Sequence, residues 1–317
     1  MPRTLRLHSF YGAHRPEAGL LDRFAAEAAR LAGGELQVAV AHGNALGLDD
    51  AAALDWLPGG AAEMALLWSV HLQARVPALK AAYPMAVARD LEAHLHAIPA
   101  LERLNREVLG EAGLHVLALF HAPVLHISVF SREVPVRSLA TLRGLRLRVF
   151  SPDLEATFGR LGVDARFIPQ GELYAALEAR VFDATIYPAC HTAWSVPLWR
   201  VARHAAYLFP EVLQPYVLAL PAALWQALPR SAQAALEEAA RLVWPDFLRH
   251  AYDRTAEDAA RINLRAAGVQ WHPDFDAADQ QALAESAAET WRVMAEATGE
   301  RAVLHRDRTL ACMACSR

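Results

Sequence analysis

The sequence predicts an α/β protein with two core-bearing lobes, mixed sheets with flanking helices and a multi-strand hinge. Short strand-like apolar runs alternate with helix-period segments along the chain. Its 317 residues exceed the usual span of one hydrophobic core. A late apolar strand, Val217 to Leu220, follows a complete second α/β unit, so the chain leaves one lobe, builds another and returns.

Taken in order, Leu5 to Phe10 reads as a strand, followed by a loop carrying Tyr11, Gly12 and His14. Pro16 to Leu31 reads as an amphipathic helix that starts at a proline and stops at Gly33-Gly34. Leu36 to Ala41 is a second strand, Ala51 to Leu57 a helix ended by Pro58-Gly59-Gly60, and Glu63 to Trp68 a buried strand. The long helix Leu91 to Gly110 precedes a strand at His115 to Leu119. Strands separated by helices predict mostly parallel pairing.

Val124 to Phe130 carries the chain into the second lobe, built by Leu145 to Phe150 and Ala165 to Ile168. Ser231 to Arg265 reads as helical, interrupted or kinked at Pro245, Val269 to Trp271 as a last strand, and Ala277 to Thr298 as a closing helix. The expected division is 1–123 plus about 210–248 for the first lobe and 124–209 plus about 249–275 for the second. A C-terminal helix within 276–305 and a frayed tail at 306–317 complete it.

The strand Leu145 to Phe150 alternates apolar and cationic residues and ends at Ser151-Pro152, a helix-start signal. Arg148 therefore falls at the end of a strand, where open α/β sheets hold ligands. A guanidinium there can grip a carboxylate with two parallel hydrogen bonds, a fork that lysine cannot copy. Glu172, at the start of the helix that follows Pro169, suits capping of backbone N–H groups, and Asp183 suits fixing of a strand end.

The order LRGLRLRV at 142–149, Leu161-Gly162, Pro169 with GELY at 171–174, and Val181 to Ala184 resembles the solute receptors of tripartite ATP-independent periplasmic (TRAP) transporters. Weaker likeness extends over Ala39 to His42, Leu46 to Asp49, the 77–84 stretch, and Tyr216 to Pro229. The resemblance implies a two-lobed periplasmic-binding-protein-like fold that closes on a small organic acid and delivers it to TRAP membrane subunits. It implies a carboxylate grip at Arg148. It aligns His126 with a frequent second arginine of the family and Tyr187 with an asparagine that precedes proline. Trp68 falls where relatives line the ligand, and Phe10, Gln170 and Trp194 complete the expected pocket.

These substitutions have a physical consequence. Phe10, Trp68, Tyr187 and Trp194 make an aromatic pocket in which a polyhydroxylated acid would leave polar groups without partners. A compact monocarboxylate with an apolar or ring-bearing body is the expected ligand. For Trp68 and Trp194 a place in the core is an equal alternative, and for His126 a satisfied strand histidine is one.

Composition narrows the function. A net charge of −4 lacks the basic face that nucleic acid requires, and no apolar run approaches the roughly 20 residues of a spanning helix. The His94/His96 and His121/His126 pairs lack metal-ligand spacing, and no nucleophile elbow, phosphate loop or dinucleotide motif occurs. Neither catalysis, metal nor cofactor is expected. Cys190 reads as a loop residue, and Cys312 with Cys315 as an incidental pair in the tail. Met1 to His8 runs into the first strand without a secretory leader, so the periplasmic location rests on the resemblance. A cytoplasmic ligand sensor of the same fold is the alternative, an enzyme acting on a small acid a more remote one.

Overall fold

The computed structural model describes residues 2–82, 86–88, 90–124, 127–188, 190–209, 212–251 and 254–314. The strands are β1 Arg3–His8, β2 Leu36–Ala41, β3 Met64–Leu67, β4 Leu114–Val124, β5 Ile127–Ser131, β6 Arg146–Val149, β7 Asp164–Phe167, β8 Ala184–Pro188, β9 His204–Phe209, β10 Val212–Pro221 and β11 Gln270–Trp271. The first helices are α1 Pro16–Leu31, α2 Ala53–Trp56, α3 Leu91–Glu111, α4 Leu139–Leu142, α5 Pro152–Arg160 and α6 Gln170–Glu178. The rest are α7 Cys190–Ser195, α8 Ala222–Ala227, α9 Arg230–Ala251, α10 Arg254–Ala266, α11 Ala277–Thr298 and α12 Glu300–Ala314.

The chain divides into two compact units. The first comprises Met1–Ala82, Ile98–Ala122 and Gln214–Ala251. Its sheet has the order β2-β1-β3-β10-β4. β1 pairs in parallel with β2 and β3, whereas β10 returns antiparallel to β3. Alternation in β1 sends Leu5 and Leu7 into a core shared with Leu21 and Phe24 of α1 and Phe247 of α9. Phe120 of β4 stacks on Phe247 with ring centroids 4.2 Å apart.

The second unit comprises Tyr83–Ala97, Pro123–Leu213 and Tyr252–Arg317. Its sheet has the order β11-β9-β5-β8-β6-β7, with β6 parallel to β7 and β8 and with β5 antiparallel to β8 and β9. Both sheets are thus mixed: helical crossovers join the parallel strands, and returning strands add the antiparallel pairs. The core on one sheet face contains Phe130, Leu173, Leu177, Tyr187, Cys190, Ala260 and Leu264, so α6, α7 and α10 cover that face.

Three local expectations are corrected. The helix does not break at Pro245: α9 runs through it to Ala251, because the buried stripe Leu236, Ala239, Ala240, Val243 and Phe247 continues across it. Residues 300–314 are a helix rather than the end of a helix and a tail. Gly299, at φ 120°, separates α11 from α12, and Ala302, His305 and Thr309 form the buried face of α12. Cys190 opens α7 rather than lying in a loop. Cys312 lies on α12, and Cys315 lies outside the described residues.

Candidate functional site

In the second unit, Arg148 on β6 stands opposite Thr185 of β8, and Tyr187 of β8 stands opposite Ser128 of β5. Ser128 in turn faces Tyr207 of β9. Cross-strand neighbours and residues two apart share a side of the pleat, so Arg148, Thr185, Tyr187, Ser128 and Tyr207 occupy one sheet face. Arg148 is 1% exposed and Tyr187 is fully buried.

The Arg148 Nε and Nη2 donate to the Ile168 carbonyl at 3.2 and 2.9 Å, while the buried Nη1 has no hydrogen-bond partner. Burial lowers the guanidinium pKa to about 10, opposed only by the nearby Tyr187 hydroxyl. Desolvating a cation beside a carbonyl and a phenol leaves it short of negative charge. Among the described residues no carboxylate forms an ion pair with it.

The turn that supplies the Ile168 carbonyl is fixed locally. The Phe167 N–H donates to Glu155 Oε2 of α5 at 2.8 Å, and Pro169 precedes α6. The backbone of Gln170 therefore lies two residues from the group that holds Arg148. Asp183 fixes the other end of β6, as its expected strand-end role requires, by accepting from the Arg146 backbone N–H and from the Arg146 guanidinium at 2.7–2.9 Å. Glu172 lies in the first turn of α6 and is exposed.

Behind Tyr187, the first backbone N–H of α7, that of Cys190, donates to both carboxylate oxygens of buried Glu257 on α10, each at 2.7 Å. The Cys190 sulfur lies 3.8 Å from the Tyr207 hydroxyl. Burial, with Glu257 adding its negative charge, pushes the Cys190 thiol far up, so it is an inert packing group.

In the first unit, Phe10, Tyr11, Trp68 and Tyr216 form one aromatic group where β1 and β3 end. Tyr216 lies 5.2 Å from Phe10 and 6.3 Å from Trp68, centroid to centroid. Two shielded carboxylates belong to the same region. Glu17, fully buried, receives both arms of the Arg15 guanidinium at 2.8 and 3.1 Å and has His250 at 3.6 Å. Burial alone would raise the Glu17 pKa; His250 and Arg15 outweigh it and hold it well below the carboxylate range. Asp50 lies 3.0 Å from His8 Nε2 and 3.7 Å from His71 Nδ1, and these neighbours likewise outweigh burial and lower its pKa.

The structure thus brings Arg148 together with Tyr187, and Phe10 together with Trp68. Trp194 is 37% exposed and stacks on Trp199 at 5.8 Å. His126 and the side chain of Gln170 lie outside the described residues. Sequence reasoning missed Ile168, Tyr216 and the carboxylate pairs of Glu17 and Asp50. Their partners are remote in sequence, so no local signal marked them.

The comparisons agree with this architecture. The family model for bacterial extracellular solute-binding protein, family 7 (DctP), matches residues 8–298. The 2,3-diketo-L-gulonate-binding periplasmic protein YiaO of Escherichia coli is 26% identical over 249 residues, 77% of this chain and 73% of the relative. A TRAP periplasmic solute-binding protein from Ochrobactrum anthropi, crystallised with its C-terminus in its ligand-binding pocket, superposes with a TM-score of 0.83 at 22% identity, over 100% of this chain and 96% of that one. A pyroglutamate-specific TRAP solute-binding protein from an unidentified marine microbe, in complex with pyroglutamate, has a TM-score of 0.83 at 17% identity, covering 98% and 99%. With its two mixed sheets and a family match over nearly its whole length, the chain belongs to the DctP family of TRAP-transporter solute-binding proteins.

Proposed function

We propose that this receptor binds a compact monocarboxylate with an apolar or ring-bearing body in the periplasm and delivers it to TRAP membrane subunits. Arg148 supplies the carboxylate grip, and the two compact units act as lobes that close over the ligand without changing it chemically. One observation carries the reading: a guanidinium 1% exposed, with Nη1 unpartnered and no acid paired to it among the described residues. Ile168 takes Nε and one Nη2 hydrogen, which leaves Nη1 and the outer Nη2 hydrogen as an end-on fork for two carboxylate oxygens.

The single charge of the ligand has its own support. In the first unit Arg15 is engaged by Glu17, and His8 and His71 by Asp50, so these basic side chains already face carboxylates. A second ligand carboxylate would have to displace an internal one. The aromatic group of Phe10, Trp68 and Tyr216 favours a flat or apolar body. Relatives bind both kinds of acid by name, pyroglutamate in one and diketogulonate in another, so the preference rests on these residues. No helix among the described residues is long and apolar enough to cross a membrane, in keeping with a receptor that hands its ligand to separate membrane subunits.

Titration calorimetry with pyroglutamate, hydroxybenzoates, glucuronate and galactonate tests the proposal. The ring-bearing compact acids should bind, and Arg148→Ala should weaken them by about 2–5 kcal/mol. Arg148→Lys should also bind less tightly, because a point charge lacks the fork. Tight binding of the sugar acids alone would overturn the ligand class, and wild-type affinity in both variants would remove Arg148 from the site.

A further inference from the structure

The second unit carries a histidine pair that ligand binding does not use. His204 opens β9, and His272 follows the two-residue edge strand β11. Their Nδ1 and Nε2 atoms lie 3.0 Å apart, with the rings stacked at 5.1 Å. At that distance the pair shares one proton: one ring donates N–H and the other offers its lone pair. One added proton leaves an imidazolium donating to a neutral ring, so the contact persists; a further proton removes the acceptor and sets two cations in contact.

The surroundings offer the second charge little relief. His272 is 9% exposed, and burial, then Arg137, then His204 lower its pKa. Arg203 immediately precedes His204 on its strand. Asp279 of α11 accepts the Leu139 N–H at 3.0 Å, and Asp276, four residues past His272, accepts the Asp279 N–H at 2.8 Å.

The contact adds a side-chain link to a two-residue edge strand held by a short backbone ladder. Gln270, His272 and Phe275 donate backbone N–H groups to Arg203, Ala205 and Tyr207 of the β9 side at 2.8–3.0 Å. Trp271 packs edge-on against Tyr207 at 4.9 Å. This segment follows α10, whose Glu257 holds the first residue of α7.

We propose that the His204–His272 contact is a proton-sensitive clasp that fastens the β11 edge, and through α10 the start of α7, as long as one of the two rings stays neutral. Acidification to about pH 5, below the ordinary histidine range, releases it. The sign follows from linkage: a base harder to protonate when folded loses stability as pH falls, because the unfolded chain binds more protons. The proposal is independent of which ligand the receptor takes.

Imidazole ¹⁵N titration of the full chain should show the pair losing its protons in two steps separated by more than about one pH unit. In His204→Gln, His272 should titrate in one step. Hydrogen exchange, corrected for the intrinsic pH dependence, should show the 270–275 amides losing protection about tenfold more than the rest of the unit between pH 7 and 5. That selective loss should disappear in His204→Gln or, if that variant folds poorly, in His272→Gln. Coincident ordinary titrations in the wild type, or the same selective loss in the variants, would overturn the clasp.

Discussion

At the scale of single residues, function and stability pull apart at Arg148. A buried guanidinium without an acid destabilises the ligand-free fold, and in the proposed site the ligand's carboxylate relieves it. Arg148→Met should therefore raise the melting temperature of the ligand-free protein, by the equivalent of about 1–3 kcal/mol, while removing ligand-induced stabilisation. A differential scanning measurement with and without pyroglutamate reads both effects. Asp153 offers a second case. It is 5% exposed in the first turn of α5, its Oδ1 has no partner, and burial raises its pKa despite a hydrogen bond from Ser151. An acid that is harder to ionise when folded costs stability as pH rises through its unfolded pKa, since the unfolded chain then releases the proton first. Asp153→Asn should stabilise the protein near pH 7, and the difference should vanish toward roughly pH 4. A gap in melting temperature that widens on acidification would refute that sign.

At the scale of elements, the site is held from behind. α7 has six residues, too short to persist alone, and it is fixed where it begins by the Glu257 carboxylate of α10. Glu257→Ala leaves the buried Cys190 N–H without its acceptor and should cost about 1–3 kcal/mol. Because α7 follows Tyr187, the same variant should weaken ligand binding, although Glu257 is not among the proposed ligand contacts. Calorimetry that finds unchanged affinity in a destabilised Glu257→Ala would separate α7 from the site. The C-terminal helix follows a related logic: Gly299 turns the chain, and spacings of three and four residues lay Ala302, His305 and Thr309 on one buried face.

At the scale of the whole molecule, the proposed mechanism is closure and release. A ligand shifts a receptor toward its closed form only by binding that form better. Saturating ligand should therefore lower the radius of gyration in small-angle scattering, alter tryptophan fluorescence through Trp68, and be recovered chemically unchanged. Saturation without compaction would make the receptor a rigid binder, and turnover of the acid would make it an enzyme.

The sequence by itself determined the family, most elements and the strand that bears Arg148. Those features are local: α1, β2 and α11 have the bounds that periodicity, proline starts and glycine stops announce. It also carried Tyr187 and Trp68 as candidates, through their positions in an ordered set of motifs. Tertiary structure alone decided what those residues meet. The Ile168 carbonyl that occupies one edge of Arg148 has no side-chain signature, and β9 pairs with β11 across more than sixty residues of chain. Glu17 with His250, and Cys190 with Glu257, are equally remote in sequence. Pro245 interrupts or kinks a helix in the reading, whereas α9 continues through it in the fold, because a buried stripe on both sides of it outweighs one missing hydrogen bond. Local propensity writes the elements into the chain; the charge and hydrogen-bond balance of a buried site exists only once distant segments have excluded water from it.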